Sequence, residues 1–179
     1  MSAGRGFQAL GGETVYDGRL VQVRIERFRH ADGEEVSREI VRHQGAVGIL
    51  AHDAEQLWLV RQPREAVDEP ELLEIPAGRL DVPGEQPLAA AQRELAEEVG
   101  LGARQWDPIV TYYTGAGFTD ERVHLFLATD LFPSSADSGE NERIEILRWP
   151  LQRLGEAIDQ CRDAKTLIAL MWLGRRLNA

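Results

Sequence analysis

The stretch GRLDVPGEQPLAAAQRELAEEVGL, residues 78–101, carries the clearest periodic signal in the chain. Pro87 suits the first turn of a helix, and Gly100 suits the position just past its end. Between them lies one apolar stripe at helical spacing, formed by Leu88, Ala91, Leu95 and Val99. The sequence therefore predicts an amphipathic helix over residues 87–99.

The same helix carries three carboxylates on one face. At about 100° per residue, Glu94, Glu97 and Glu98 span an arc of roughly 100° away from the apolar stripe. Like charges three and four residues apart destabilise a helix unless a cation compensates them. Oxygen ligands of this kind suit a hard divalent ion such as Mg²⁺ or Mn²⁺. The alternative is a solvated acidic face on which Arg93 pairs with Glu97.

Strand patterns surround this helix. The first strand is predicted where Val21, Val23 and Ile25 alternate with polar residues. A turn over residues 31–33 follows, and residues 36–41 start a second strand, so the pattern predicts a hairpin. The remaining predicted elements are strands over 46–50, 57–60, 109–113, 123–127 and 144–149, an acidic loop over 63–70, a polar loop over 133–141, and helical segments over 151–160 and 164–177. Strands mixed with a few helices, without regular alternation, indicate an α+β or α/β/α layered domain.

Composition and charge narrow the class of protein. With 179 residues, 43% of them hydrophobic, the chain is long enough for one domain with an embellishment. The formal net charge of −10 argues against a nucleic-acid binder, which normally presents a basic surface. Cys161 is the only cysteine, which excludes an intrachain disulfide and a cysteine-rich zinc site. The longest strongly apolar stretch, residues 167–173, is too short to cross a bilayer, so we expect a cytoplasmic protein with no membrane partner.

A pattern of nine positions is built around the helix. It consists of Gly78, Glu85, Arg93-Glu94-Leu95, Glu97-Glu98 and Gly100-Leu101. An accidental match at all nine positions is on the order of one in a billion. The pattern resembles the signature of the Nudix hydrolase family. That signature places five residues between its first glycine and glutamate, whereas six separate Gly78 from Glu85, and we expect the loop over 79–84 to absorb the extra residue.

Other segments are similar to the ADP-ribose and nucleotide-sugar diphosphatase branch of that family. They are residues 13–18, 42–47, 60–64, 73–78, 117–121 and 165–170. In that branch a loop after the signature commonly reads Ser-Pro-Gly, and its proline is associated with ADP-ribose preference. This chain has Gly115-Ala116-Gly117, so that marker is missing.

The resemblance implies a fold and an assembly. The implied fold is an α/β/α sandwich with a mixed sheet and an N-terminal β-rich extension. We expect residues 1–45 to form a dimerising β-hairpin region and residues 46–179 to form the Nudix hydrolase domain. The family resemblance further implies a homodimer in which the N-terminal strands pack across subunits, although packing on its own domain would satisfy the hairpin equally.

The resemblance also assigns roles to residues. Divalent metal, Mg²⁺ or Mn²⁺, would be bound by Glu94, Glu97, Glu98 and the backbone carbonyl of Ala77, with Arg93 and Glu85 as orienting residues. Glu98 and Arg93 would belong to the catalytic set. The base is expected from a late loop, where we favour Glu140 and leave Glu142 as a metal ligand or supporting residue; the reverse assignment and a plain acidic surface loop stay open.

Substrate contacts are the last implied feature. Arg61 and Arg64 would clamp the diphosphate, since guanidinium groups suit phosphate oxygens, and Glu121 would orient substrate or a metal-bound water. The arginines could equally be surface ion-pair partners.

The implied reaction is metal-dependent hydrolysis of ADP-ribose to AMP and ribose 5-phosphate. The missing proline favours GDP-mannose or another nucleoside-diphosphate sugar as the alternative substrate. A third hypothesis is a non-catalytic module that senses a nucleotide. The presence of all three signature carboxylates argues against that hypothesis.

Overall fold

The computed structural model of the protein describes residues 6–134 and 143–178. These residues form two compact units. The first comprises the described residues up to Gly45 together with Tyr113–Arg122, and the second comprises Ala46–Tyr112 and the described residues from Val123 onward. The first unit thus includes Tyr113–Arg122, which the predicted division assigns to the domain of residues 46–179. The division into residues 1–45 and 46–179 stays a prediction.

The first unit is built on a three-stranded antiparallel sheet. Its strands are β1 (Phe7–Asp17), β2 (Gln22–His30) and β3 (Glu35–Arg42), in that order across the sheet. The sequence predicts only the hairpin of β2 and β3. Nearly all of β1 is exposed, so it lacks the alternation of apolar and polar residues that marks a half-buried strand. Its register also shifts next to Gly11, whose φ of +94° suits glycine at a bulge.

The second unit contains a mixed sheet of seven strands. They are β4 (Ala46–His52), β5 (Gln56–Arg64), β6 (Glu69–Glu74), β7 (Ala77–Arg79), β8 (Leu101–Tyr113), β9 (Arg122–Pro133) and β10 (Glu145–Pro150). The order is β10-β5-β4-β9-β8, with β6 beside β5 and β7 beside β4. β4 runs parallel to β9 and antiparallel to β5 and β7, so the sheet is mixed.

Helices cover both faces of this sheet. Side chains of β4 alternate between two cores: Val47, Ile49 and Ala51 pack in the core that contains α1 (Pro87–Val99), whereas Leu50 packs in the core of α2 (Leu154–Gln160) and α3 (Ala164–Leu177). A strand buried on both faces reads as a continuous apolar run, as residues 46–51 do. The predicted α/β/α sandwich with a mixed sheet is confirmed. None of the helices in the described residues is both long enough and apolar enough to span a membrane.

Helix α1 has the predicted bounds. Pro87 occupies its first turn, and Gly100 ends it in the left-handed conformation at φ +71°, where its N–H donates to the carbonyl of Ala96. Leu88 is the member of the predicted stripe that stays exposed, whereas Ala90, outside that stripe, is buried.

The predicted acidic loop over residues 63–70 is wrong. β5 continues to Arg64, a short 3₁₀ turn covers Glu65–Val67, and β6 begins at Glu69. The pairing of β5 with β6 shifts register between Gln62 and Arg64, and such a shift accommodates Pro63. Strands β8 and β9 are also longer than predicted, and the segment from residue 151 begins with a 3₁₀ turn, Leu151–Arg153, before α2.

Candidate active site

The signature carboxylates lie where α1 contacts the start of β7. Glu98 is buried near the C-terminal end of α1, with 8% of its surface exposed. Its Oε2 accepts a 3.0 Å hydrogen bond from the backbone N–H of Ala77. This bond fixes the Glu98 carboxylate against the backbone segment that the sequence implicates in metal binding.

Gly78 provides the space that Glu94 occupies. A Cβ on Gly78 would overlap the carboxylate of Glu94, so a residue with any side chain would displace it. Glycine at this position therefore allows the Glu94 carboxylate to lie against the backbone of β7.

Arg93 joins the carboxylates into one network. Its Nη1 donates to Glu94 at 2.7 Å and to Glu97 at 2.9 Å, and its Nε and Nη2 donate to the two oxygens of Glu85 at 3.1 and 3.0 Å. The hydrogen bonds with Glu85 are the main cause that raises the pKa of Arg93, with burial opposing them and Glu94 and Glu97 reinforcing them. The extra residue before Glu85 lies in the loop between β7 and α1 and leaves these contacts in place.

The donor chemistry of this cluster fits a hard divalent cation. Glu94, Glu97, Glu98 and the Ala77 carbonyl supply oxygen atoms on facing elements, and Gly78 leaves room for one of the carboxylates. In the arrangement described here, Arg93 binds Glu94 and Glu97 itself. Among the described residues, no three Asp, Glu, His or Cys side chains converge closely enough to hold an ion. The Arg93–Glu97 pair of the alternative interpretation is observed, as one part of a larger network. The predicted solvation of that face is not, because Glu98 is buried and the Glu94 side chain is only 13% exposed.

A second charge network lies beside the cluster. Glu74, at the end of β6, is 1% exposed and accepts hydrogen bonds from Arg64 Nε at 2.6 Å, Arg64 Nη2 at 2.8 Å and Lys165 Nζ at 2.6 Å. Burial by itself raises the pKa of Glu74, but the bonds and charges of Arg64 and Lys165 outweigh it, so the net pKa lies below its usual value. Arg64 in turn has its pKa raised, chiefly by the Glu74 hydrogen bonds, with a smaller contribution from the charge of Glu98.

The two arginines predicted to clamp a diphosphate have different surroundings. Arg64 is held bidentately by Glu74, and Glu98 is close enough to influence it. Arg61, three residues earlier on β5, lies 3.8 Å from Glu145 on β10. Their role in substrate binding stays a prediction.

Glu121 belongs to the first unit, in a cluster at the end of β3. It accepts a 2.7 Å hydrogen bond from Thr114 Oγ1, and its other oxygen lies 3.3 Å from His43 Nδ1. The neighbouring Asp120 accepts from Arg42 Nη1 at 2.8 Å and from the His43 N–H at 3.0 Å. Burial raises the pKa of Asp120, but these bonds outweigh it and the net pKa is lowered. The predicted role of Glu121 toward substrate or water stays a prediction.

The first unit also contains a pocket of about 280 Å³. Its lining combines aromatic rings and cationic side chains, including Phe28, Phe118, Arg38 and Arg42, and Ala116 of the glycine-rich loop contributes to it. The pocket is thus formed by the predicted hairpin together with the loop that lacks the proline marker.

The two candidates for the base, Glu140 and Glu142, lie outside the described residues. The choice between them therefore stays a prediction.

The sequence predicted no role for Glu74 or for its surroundings at the start of α3. Lys165, Asp163 and Thr166 come from the N-terminal end of α3, far from Glu74 in sequence. One signal was present: Glu74 is a charged residue inside the otherwise apolar segment 72–77, and a buried charge needs a partner.

Comparison with known proteins identifies the family. The model of the NUDIX domain matches residues 42–169, which is most of the chain. This protein belongs to the Nudix family. The predicted membership in the Nudix hydrolase family is confirmed, and with it the prediction that the protein is a hydrolase. Nudix hydrolases depend on divalent metal ions, which supports the predicted divalent cofactor without identifying the ion.

Relatives of this Nudix protein include two ADP-ribose pyrophosphatases. It is 34% identical over 171 residues to the ADP-ribose pyrophosphatase of Bacillus subtilis strain 168, covering 93% of this chain and 91% of the relative. It is 43% identical over 126 residues to the ADP-ribose pyrophosphatase of Mycobacterium tuberculosis, covering 70% and 60%. A crystal structure of an ADP compounds hydrolase matches with a TM-score of 0.83 at 26% identity, covering 96% of this chain and 94% of that one.

Proposed function

We propose that this Nudix protein hydrolyses the diphosphate bond of ADP-ribose, adding water to give AMP and ribose 5-phosphate. The observation that carries the proposal is the placement of Glu94 and Glu98 of α1 against the Ala77–Gly78 backbone, where oxygen donors of two elements meet. The relatives named ADP-ribose pyrophosphatase support the choice of substrate.

The proposed cofactor is Mg²⁺, with Mn²⁺ as a substitute. Glu94, Glu97, Glu98 and the Ala77 carbonyl would hold it, with Glu142 as a further ligand. A bound divalent cation neutralises charge on a diphosphate and lowers the pKa of a coordinated water.

The chain's own residues would divide the remaining work. The Ala77 N–H holds Glu98 in one orientation, and Arg93 balances the charge of Glu94 and Glu97. Arg61 and Arg64 would bind phosphate oxygens, Arg64 through Nη1, since its Nε and Nη2 are the atoms that bind Glu74. Glu140 would accept the proton of the attacking water, and Glu121 would orient the substrate.

Ala116 favours a second substrate class. In the loop where the ADP-ribose branch commonly carries proline, this chain has alanine, so a GDP-mannose or other nucleoside-diphosphate-sugar diphosphatase is the alternative.

The test is turnover of purified protein with Mg²⁺ against ADP-ribose, GDP-mannose and ADP-glucose. Glu98→Gln should lower turnover of the true substrate by about 100-fold or more, since a bound metal ion contributes several kcal/mol of transition-state charge stabilisation. Glu156→Gln, at an exposed acidic position on α2, should leave turnover unchanged. Preference for ADP-ribose supports the proposal, and activity confined to another nucleotide sugar supports the alternative. Binding of these ligands without cleavage under any divalent metal would replace both with the sensing module.

We also propose that the protein is a homodimer and acts in the cytoplasm. Support for the dimer comes from β1, where Phe7, Val15 and Tyr16 are all more than half exposed. These side chains place exposed apolar area at both ends of β1, and such area on a surface is available to a partner.

A further inference from the structure

Residues 74–78, which we call the linker segment, connect the Glu74 network to the signature carboxylates. Its residues are held by four elements of the second unit: β4, β5, α1 and α3. Glu74 binds Arg64 and Lys165, the Ile75 N–H donates to Thr166 Oγ1 at 2.9 Å, and the Pro76 carbonyl accepts from the Ile49 N–H at 2.8 Å. The Ala77 N–H binds Glu98, and Gly78 lies under Glu94.

Thr166 is the point at which α3 reaches this segment. Its side chain is completely buried, and its hydroxyl donates to Asp163 Oδ2 at 2.6 Å while accepting from Ile75 N–H. A hydroxyl has one proton to donate, so its use on Asp163 directs a lone pair at Ile75. The same Asp163 oxygen caps α3 by accepting from the Thr166 N–H at 3.0 Å, which fixes the hydroxyl to the helix end.

Lys165 anchors the neighbouring residue. Its Nζ lies 2.6 Å from Glu74 Oε2 and 3.0 Å from Asp163 Oδ2, so one ammonium group joins the helix cap to the linker segment. The first turn of α3 thus holds two successive residues, Glu74 and Ile75, through two side chains. Two residues further along, Ala77 presents its N–H to Glu98.

We propose that Thr166, supported by Asp163 and Lys165, is a positioning residue for the metal-binding carboxylates. It acts through the linker segment: by fixing the Ile75 amide, it sets the position of the Ala77 backbone and thereby the orientation of Glu98. The proposal rests on the metal site of the proposed function, and not on the identity of the substrate. Groups that hydrogen-bond directly to metal ligands typically contribute about 10-fold to 100-fold to metal affinity. Thr166 acts through the backbone of residues 75–77, so we expect an effect at the lower end of that range.

The experiment is Mn²⁺ binding by the nucleotide-free protein, followed by the electron paramagnetic resonance signal of the unbound ion. Thr166→Val keeps the shape of the side chain but removes both hydrogen bonds, and Thr166→Ser keeps the hydroxyl. We expect roughly 10-fold weaker Mn²⁺ binding in Thr166→Val, with recovery in Thr166→Ser. Thr111→Val is the matched control, since it removes a threonine hydroxyl that bonds to His124 on the neighbouring strand. It should bind Mn²⁺ as the wild type does.

Amide hydrogen exchange supplies a readout that needs no metal. In Thr166→Val the amides of Ile75 and Ala77 should exchange faster, while those of the α3 interior keep their protection. Unchanged Mn²⁺ affinity in folded Thr166→Val would overturn the proposal, as would equal weakening in the Thr111→Val control.

If Thr166→Val does not fold, Lys165→Gln takes its place. That change removes one of the two cations on Glu74 and leaves the apolar face of α3 intact, so weaker Mn²⁺ binding is again expected and wild-type binding would overturn the proposal. A wild-type protein that binds no Mn²⁺ would overturn the metal site itself. Absence of ADP-ribose cleavage together with the expected Mn²⁺ shifts would instead overturn only the proposed substrate.

Discussion

At the scale of single residues, the position of the Glu94 carboxylate depends on the absence of a Cβ at Gly78. Close approach of Glu94 to the β7 backbone is allowed because glycine lacks a Cβ. The sequence marks this position as part of the signature, but the reason for it is visible only when the helix and the strand are placed together.

Gly78→Ala should weaken divalent metal binding with a modest effect on folding. The added methyl group displaces the Glu94 carboxylate, so we expect Mn²⁺ affinity to fall by about 10-fold, measured by titration of the nucleotide-free protein. Gly155→Ala is the control, because nothing lies within 4 Å of a Cβ at that position. Equal affinities for the two variants would contradict the steric explanation.

Arg93 acts as the internal cation of the acidic cluster. Arg93→Gln removes the charge that compensates Glu85, Glu94 and Glu97, so the free energy of unfolding without metal should fall by roughly 2 kcal/mol. Millimolar Mg²⁺ should restore part of the loss, since a divalent ion can compensate the same carboxylates. Thermal unfolding with Mg²⁺ and with a chelator checks this, and a loss that Mg²⁺ leaves unchanged would contradict it.

At the scale of elements, Glu74 ties β5 and β6 to the start of α3. Glu74→Gln leaves Arg64 and Lys165 without their shared carboxylate, so the free energy of unfolding at neutral pH should fall by about 3 kcal/mol.

The same substitution should flatten the acid limb of the stability curve. Because the pKa of Glu74 is lowered in the folded state, its contribution is fully present above its unfolded value of about 4.3 and is lost as the pH falls through the folded value. Denaturant unfolding at a series of pH values should show the difference between the wild type and Glu74→Gln narrowing as the pH falls below about 4.3. Asp107→Asn, at an exposed position on β8, should follow the wild type throughout.

At the scale of the whole molecule, the exposed strand β1 leads to a prediction about assembly. A homodimer would have twice the chain mass of 20.0 kDa, which light scattering coupled to size exclusion measures directly. Val15→Asp places a charge among the exposed apolar residues of β1 and should shift the protein toward the monomer. Glu13→Gln, at an exposed position on the same strand, should leave the mass measured by light scattering at the value for the dimer. A wild-type monomer at all concentrations would contradict the proposed dimer.

The sequence by itself determined the features that depend on neighbours along the chain. The bounds of α1, its proline and glycine ends, its three carboxylates on one face and the Nudix signature all follow from spacings of a few residues. The two C-terminal helices and the buried strand β4 are also predictable from local sequence, because helices and strands impose short periods on their side chains.

Only the tertiary structure decided the contacts between distant parts of the chain. The exposed β1 carries no periodic signal, and β6 is hidden in an acidic segment that resembles a loop. Lys165, which binds Glu74, and Thr166, which binds Ile75, each lie 91 residues later in the chain, at the start of α3. The physical reason is that a buried charge or amide requires a partner without specifying where in the sequence it lies, and that choice is made when the sheet and helices pack together.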